Sequence, residues 1–212
     1  METKTPRTGL IMNIFYLHKN TVKCAEMHCD KHVVKMCIEY AQILSTTHRV
    51  IDGEPWVGTT VNGRKIQRYF HPDTYMNERL YKASHINHPS TVWARQSRDN
   101  YNWLYDLWMA LCLEYTHRYG KKHECQRKLE DVLLIPPMKL TGVGFTEPPP
   151  AMKAYPECVV EGDSVTSYRN FYWEDKREFA KWSNRDKPYW WIEKETGVMP
   201  RELLWEDNDN EK

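Results

Sequence analysis

From His28 to Leu44 the chain reads HCDKHVVKMCIEYAQIL, and at about 100° per residue His28, His32, Lys35, Glu39 and Gln42 fall on one narrow stripe. Nearly every other position is apolar: Val33, Val34, Met36, Cys37, Ile38, Tyr40, Ala41, Ile43 and Leu44. An ordinary surface helix shows the reverse, a narrow apolar stripe on a polar ground. The pattern predicts a helix largely wrapped in protein. Its titratable line must face partners, water or a ligand, because burying such groups unpaired costs several kcal/mol. Two imidazoles, an amine and a carboxylate on one line favour a functional cleft; an internal hydrogen-bond network is the alternative.

The rest of the pattern predicts further helices around this one. Asn13 to Leu17 reads as a short buried strand or extended segment. Asn20-Thr21 caps a helix from Val22, which either runs into the stripe or breaks near Cys29-Asp30 with Asp30 as a new N-cap. Val57–Val61 and Arg64–Phe70 flank Asn62-Gly63, a strong hairpin signal, and predict two antiparallel strands. One or two helical turns are expected over Glu78–Ser84. Pro89 suits a first helical turn capped by Asn87 or His88. Asp99 or Asn100 opens the longest helix, Tyr101–Tyr119, which Gly120 ends. Another helix runs from about Glu124 to Leu134. Residues 136–156 read as a long ordered Pro-rich loop anchored by Met138, Leu140, Phe145 and Met152. Asp163 caps a helix from Ser164 to about Trp173, and Asp175–Trp182 forms a further one. The fold class is therefore mainly α: a single compact helical domain over residues 12–205, with an inserted β-hairpin and a long Pro-rich loop. Residues 1–11 are expected to be a disordered leader. Pro200–Trp205 reads as a short amphipathic tail, and 206–212 as a disordered acidic end.

Charge narrows the choice of partner. Across 212 residues, Lys and Arg nearly cancel Asp and Glu, leaving +1. A protein that coats duplex generically would be more basic, so contact with DNA or a nucleotide has to use a local basic patch. Nine Trp and thirteen Tyr pack cores and also stack on bases. The six cysteines form no C-x-x-C pair and read as reduced, which points to the cytoplasm. No apolar run approaches the roughly 18 residues of a membrane helix. There is no glycine-rich phosphate loop, dinucleotide fingerprint or G-x-S-x-G, and nothing calls for a cofactor.

Three constellations remain. His28 and His32 have the i, i+4 spacing of paired metal ligands, and a third ligand would have to come from His48, His85 or His88. Lys35 and Glu39, four apart, make a modest ion pair or, in a cleft, an amine and a carboxylate able to act as nucleophile and base. Arg95, Arg98 and Asn100 follow His85 and His88, and His117, Arg118, Lys121, Lys122 and His123 gather at the end of the long helix. Both groups offer donors suited to phosphate.

Met12-Asn13-Ile14-Phe15-Tyr16-Leu17, the helix with His32 and Glu39, and Asn87-His88-Pro89 before the helix ending Glu114-Tyr115-Thr116-His117-Arg118-Tyr119-Gly120 stand in an order that resembles the pyrimidine-dimer DNA glycosylases of the endonuclease V type. The resemblance covers roughly Met12 to Lys122. It implies a compact helical fold and an N-terminal amine that attacks the sugar C1′ of a damaged nucleotide, assisted by a glutamate on an early helix. Glu39 would be that glutamate, and His28 or His32 a DNA-facing helper. The amine is not carried over, because the family uses a small residue exposed after the initiator Met and this chain begins Met1-Glu2. The function expected is thus an enzyme acting on DNA or a nucleotide at the base or glycosidic bond. Glu39, Lys35, His32 and His28 are its catalytic candidates. Gln42, His85, His88, Arg95, Asn100, His117, Arg118 and Lys121 are candidates for substrate binding. Two alternatives are a non-catalytic nucleic-acid- or protein-binding module and a metal-dependent hydrolase using His28 and His32.

Overall fold

Side-chain caps start most of the helices. In the computed structural model, which describes residues 12–198, Asn20 accepts from the Val22 and Lys23 amides to open α1 (Thr21–Glu26). The chain then bends through Met27-His28-Cys29. Cys29, not Asp30, is the N-cap of α2 (Asp30–Ile51), and it offers no side-chain bond. Asp30 is instead the first residue of α2 and spends its carboxylate on Ser183 and Arg118. His28 therefore sits in the bend and not on the helix with the rest of the stripe.

The hairpin β1 (Glu54–Thr59) and β2 (Lys65–Phe70) pairs antiparallel from Glu54↔Phe70 to Thr59↔Lys65. Asn62-Gly63 does not form a two-residue turn. The Gly63 amide bonds the Thr60 carbonyl, the Thr60 amide bonds the Arg64 carbonyl, and Gly63 takes φ 75°. That is the three-residue loop with a left-handed glycine, so the strands begin earlier on one side than the turn signal suggests. Then follow α3 (Thr74–Arg79), α4 (Pro89–Ala94), α5 (Arg98–Tyr119) and α6 (Glu124–Leu129). The first is earlier than Glu78–Ser84, and the last is shorter than Glu124–Leu134. His88 caps α4 through the Ser90 amide. Ser97, rather than Asp99 or Asn100, caps α5, which ends at Gly120 with φ 67°. After a 3-10 turn at Pro156–Cys158, α7 (Ser164–Lys176) is capped by Asp163. No helix spans Asp175–Trp182; α7 runs on to Lys176 and the chain then turns. The last described helix is α8 (Tyr189–Thr196), hidden from periodicity by its run of aromatics. The leader, the Pro200–Trp205 tail and the acidic end lie outside the described residues. No described helix is long and apolar enough to cross a membrane.

The core lies between α2 and α5. Val33, Met36, Cys37, Tyr40, Ala41 and Leu44 meet Leu104, Leu107, Trp108, Leu111 and Cys112, all with no exposed surface, and the Trp108 indole donates to the Cys37 carbonyl at 2.9 Å. Along the other side of α2 lies the extended, buried segment 12–17. Val34 and Ile38 are each 40% exposed, so α2 is less enclosed than its sequence implies. All six cysteines are buried and free. In the Pro-rich loop Leu140 and Met152 are buried and the partly exposed Phe145 packs its ring against Tyr16, Trp93 and Trp103, whereas Met138 faces out. Polar bonds supply the remaining anchorage: Arg98 to the Leu140 carbonyl, Trp93 and Asn100 to Thr146, and Tyr168 to the Pro149 carbonyl.

Gly53 joins α2 to β1 where backbone approaches backbone. A Cβ there would stand 2.3 Å from the Arg49 carbonyl oxygen and 2.9 Å from that of Phe70. Gly53→Ala should cost about 1–3 kcal/mol, the range of overpacking, read as a lower denaturant midpoint. An unchanged midpoint would show that the junction relaxes freely.

Candidate active site

Glu39 and His32 lie along the border between the buried side of α2 and the exposed side that carries Lys31, Val34, Lys35 and Ile38. The Glu39 side chain is 5% exposed. Its Oε1 pairs with Lys35 Nζ at 3.0 Å, while Oε2 is buried without a hydrogen-bond partner among the described residues. Burial raises the Glu39 carboxyl above its ordinary pKa; the bond and charge of Lys35 oppose this, as do the charges of His85 and Lys176. Lys35 thus pairs with the carboxylate directly, and His85 and Lys176, from two other parts of the chain, act on it through their charge. Lys176 had no local signal in the sequence, because it reaches the site from the end of α7.

His32 is the second buried group. The Tyr172 hydroxyl stands 2.5 Å from its Nδ1 and also accepts from the Cys29 amide. That hydroxyl ties the ring both to α7 and to the bend before α2. Phe15 stacks on the ring at 4.4 Å, and Phe179 meets it edge-on at 6.1 Å. Burial first, then the charges of His28, Lys176 and Lys35, hold His32 well below its ordinary pKa. It is a neutral imidazole. Phe179 itself is half-buried, with Lys31 Nζ 4.5 Å and Lys176 Nζ 6.0 Å from its ring centre.

His28 is enclosed in a closed network. Its Nδ1–H donates to the Cys24 carbonyl at 2.7 Å, and Nε2 accepts from the Tyr40 hydroxyl at 2.9 Å, which in turn accepts from the Phe15 amide. With burial lowering its pKa to about 4, His28 is a neutral strut that fixes segment 12–17 on α2. Neither nitrogen is left for a metal, so the spacing of His28 and His32 supplies no ligand pair.

The other sequence candidates separate into enclosed and exposed groups. Arg118 has no exposed side-chain surface and holds Glu114 at 2.6 Å, Asp30 at 2.8 Å and the Glu26 carbonyl, which removes it from reach of a phosphate. Asn100 is likewise buried, clamping Thr146 and the Trp93 carbonyl. Both were singled out for their polarity, which the core uses. On the outside, His85 is exposed and interacts with His88 and with Glu39. Arg95 is half-buried, donates to the Ile86 carbonyl and interacts with Tyr69 of β2. Gln42 is half-buried on the exposed side of α2. His117 and Lys121 are exposed at the end of α5, where Tyr119 donates to the Asp30 carbonyl at the start of α2. Asn13, in the segment expected to be buried, is fully enclosed, with neither carboxamide atom partnered among the described residues.

The fold and site define a mainly helical protein with a half-neutralised carboxylate, Glu39, on α2, one of its two 22-residue helices. The particular family follows from comparison: the family model described as pyrimidine dimer DNA glycosylase matches residues 12–127. The chain belongs to that family. The match spans the extended segment, α2 and α5, and stops within α6. No curated protein and no solved structure matches it.

Proposed function

We propose that this protein is a DNA glycosylase acting at a pyrimidine dimer, with Glu39 as the carboxylate beside the reacting sugar. The observation that carries this is the buried Glu39 pair, one oxygen on Lys35 and the other unpartnered. Breaking a glycosidic bond develops positive charge at C1′, and a fixed anion in a poorly hydrated site stabilises it strongly. Lys35 is half-exposed and 3.0 Å from Glu39, so it can hand a proton to the carboxylate and attack C1′ as a free amine. The N–C1′ bond forms as the bond to the base breaks; the base leaves with the electron pair and takes the proton from Glu39, which is again an anion, and the new ammonium gives a proton to the ring oxygen as the sugar opens to a protonated imine. Phe179, flanked by the Lys31 and Lys176 ammoniums, offers a ring on which an extruded base can stack.

DNA would reach this site along a local basic path. Electrostatic influence links Tyr69 of β2 to Arg95, His85 to His88, and His85 to Glu39. The hairpin extends the path with Arg64, Lys65 and Arg68, and it exposes Trp56, Val57 and Val61. Such a path reconciles DNA binding with a net charge of +1.

A duplex carrying one cyclobutane thymine dimer tests the proposal. The expected products are dimer-dependent strand breaks after alkali and, with borohydride, a covalent adduct that disappears in Lys35→Met. Strand breaks without an adduct would leave Glu39 in place and assign Lys35 to phosphate. No dimer-dependent product from folded protein would overturn the proposal. Charge reversal at Arg64, Lys65 and Arg68 should weaken duplex binding and flatten its salt dependence by about 0.9 in slope for each phosphate that is no longer neutralised. Melting should change little, since Arg64 and Lys65 are exposed and Arg68 is only half-buried.

A further inference from the structure

A second cluster of titratable groups lies at the far end of α2, 9 to 13 positions beyond Glu39 and so about 14–20 Å along the helix axis. His48 is in the last turn of α2, Asp52 is the C-cap residue four positions on, and His71 follows the last residue of β2. Their exposures are 2%, 7% and 5%. One ligand atom from each lies within 4.8 Å of the others, the only such group of three among the described residues. His48 Nδ1 and His71 Nε2 are both buried without a hydrogen-bond partner, and two unpaired buried nitrogens in one place are costly.

The surrounding bonds set the chemistry. The Tyr101 hydroxyl donates to the Leu133 carbonyl at 2.9 Å, so it accepts from His48 Nε2–H at 2.8 Å. That places the His48 proton on Nε2 and leaves a lone pair on Nδ1 pointing away from Tyr101, the arrangement found behind metal-bound histidines. The Asp52 oxygens accept from the Met138 and Lys139 amides at 2.7 and 2.9 Å, which fixes the carboxylate. No ion pair neutralises it among the described residues: neighbouring Arg49 directs its guanidinium to Tyr69, Asn77, Leu80 and Tyr81.

We propose that His48 Nδ1, His71 Nε2 and the Asp52 carboxylate bind one divalent transition-metal ion of the zinc type. Two imidazoles and a carboxylate are a borderline N/O set. Ligand atoms on tetrahedral zinc stand about 3.3 Å apart, so closure takes side-chain shifts of about 1 Å. His71 Nδ1 gives up its 3.2 Å bond from the Asp73 amide, since Nδ1 must carry the proton once Nε2 holds the ion. The ion would tie the end of α2, the base of the hairpin and residues 138–139 into one unit. The site is independent of the Glu39 chemistry.

The test uses the untagged chain after EDTA treatment. Titration with Zn2+ against a chromophoric chelator should show one ion per chain at micromolar affinity or tighter. Co2+ should give visible bands of N/O ligation without thiolate charge transfer, which separates this site from the buried cysteines. At about 100-fold excess over Kd, melting should rise on the order of 5–10 °C. His71→Ala should weaken binding at least ten-fold. Because a variant can misfold, histidine ring 15N shifts in the wild-type chain give a second readout: the His48 Nδ1 and His71 Nε2 resonances should move on adding Zn2+. Absence of stoichiometric binding, a thiolate band, equal affinity in folded His71→Ala, or unmoved ring nitrogens would each overturn the site.

Discussion

Folded Glu39→Gln protein should lose at least about two orders of magnitude in turnover on a dimer-containing duplex, the scale of removing one positioned electrostatic or acid–base group. Ground-state binding of the duplex should change far less, so the loss falls on kcat. The near-isosteric change keeps the packing beside Tyr40 and removes only the charge. Stability supplies an independent readout. Burial holds the Glu39 carboxyl above its ordinary value of 4.5, so folding favours the protonated form. The charged form therefore destabilises the fold at pH above the raised value, and that cost vanishes below the ordinary one. Glu39→Gln should melt no lower than wild type at pH 7, with any gain shrinking as the pH falls through the acid range. Full activity in the folded variant would remove Glu39 from the mechanism. A lower melting point at pH 7 would mean that the Lys35 pair outweighs burial.

Arg118→Met should cost about 3–5 kcal/mol, the usual consequence of removing one partner from a buried ionic cluster, and lower the melting temperature by on the order of 10 °C. The guanidinium has no exposed surface and holds two carboxylates, one of them, Glu114, only 3% exposed. Methionine fills much of the volume, so the cost isolates the charge. Burial raises Glu114, but Arg185 and Arg118 outweigh it and hold the carboxyl below its ordinary value. At Asp30, burial is likewise outweighed by Ser183 and Arg118. Both carboxylates then contribute stability that is complete above their ordinary pKa range and lost as pH falls through the depressed folded values. The penalty of Arg118→Met should accordingly shrink in acid. Melting curves at pH 7 and pH 4 decide it: a small, pH-independent cost would show that the cluster is not what secures the start of α2 against α5.

Some of this protein is written in local spacing and some is not. Helix positions are local because the 3.6-residue period and the caps act over a few neighbours; thus α2, α5 and the stop at Gly120 are legible, as are the hairpin and the pairing of Lys35 with Glu39. Where local signals compete, the ends slip. Asp30 has the chemistry of a cap, yet Arg118 and Ser183, distant in sequence, draw its carboxylate elsewhere. The same limit governs the candidate site. Periodicity put His28, His32 and Glu39 on one stripe, but could not tell which of them meets a partner inside the protein. His28 is closed off by Tyr40 and Cys24, His32 meets Tyr172 from α7, and Glu39 alone keeps an unpartnered oxygen. Arg118 and Lys121 read alike as cations at the end of α5, and only packing decides that one lies in the core and the other in water. Sequence by itself thus determined the helical framework and the chemical types arrayed along it. The tertiary structure decided which of those groups are spent on one another, because desolvation and pairing depend on neighbours that the fold, and not the local chain, brings together.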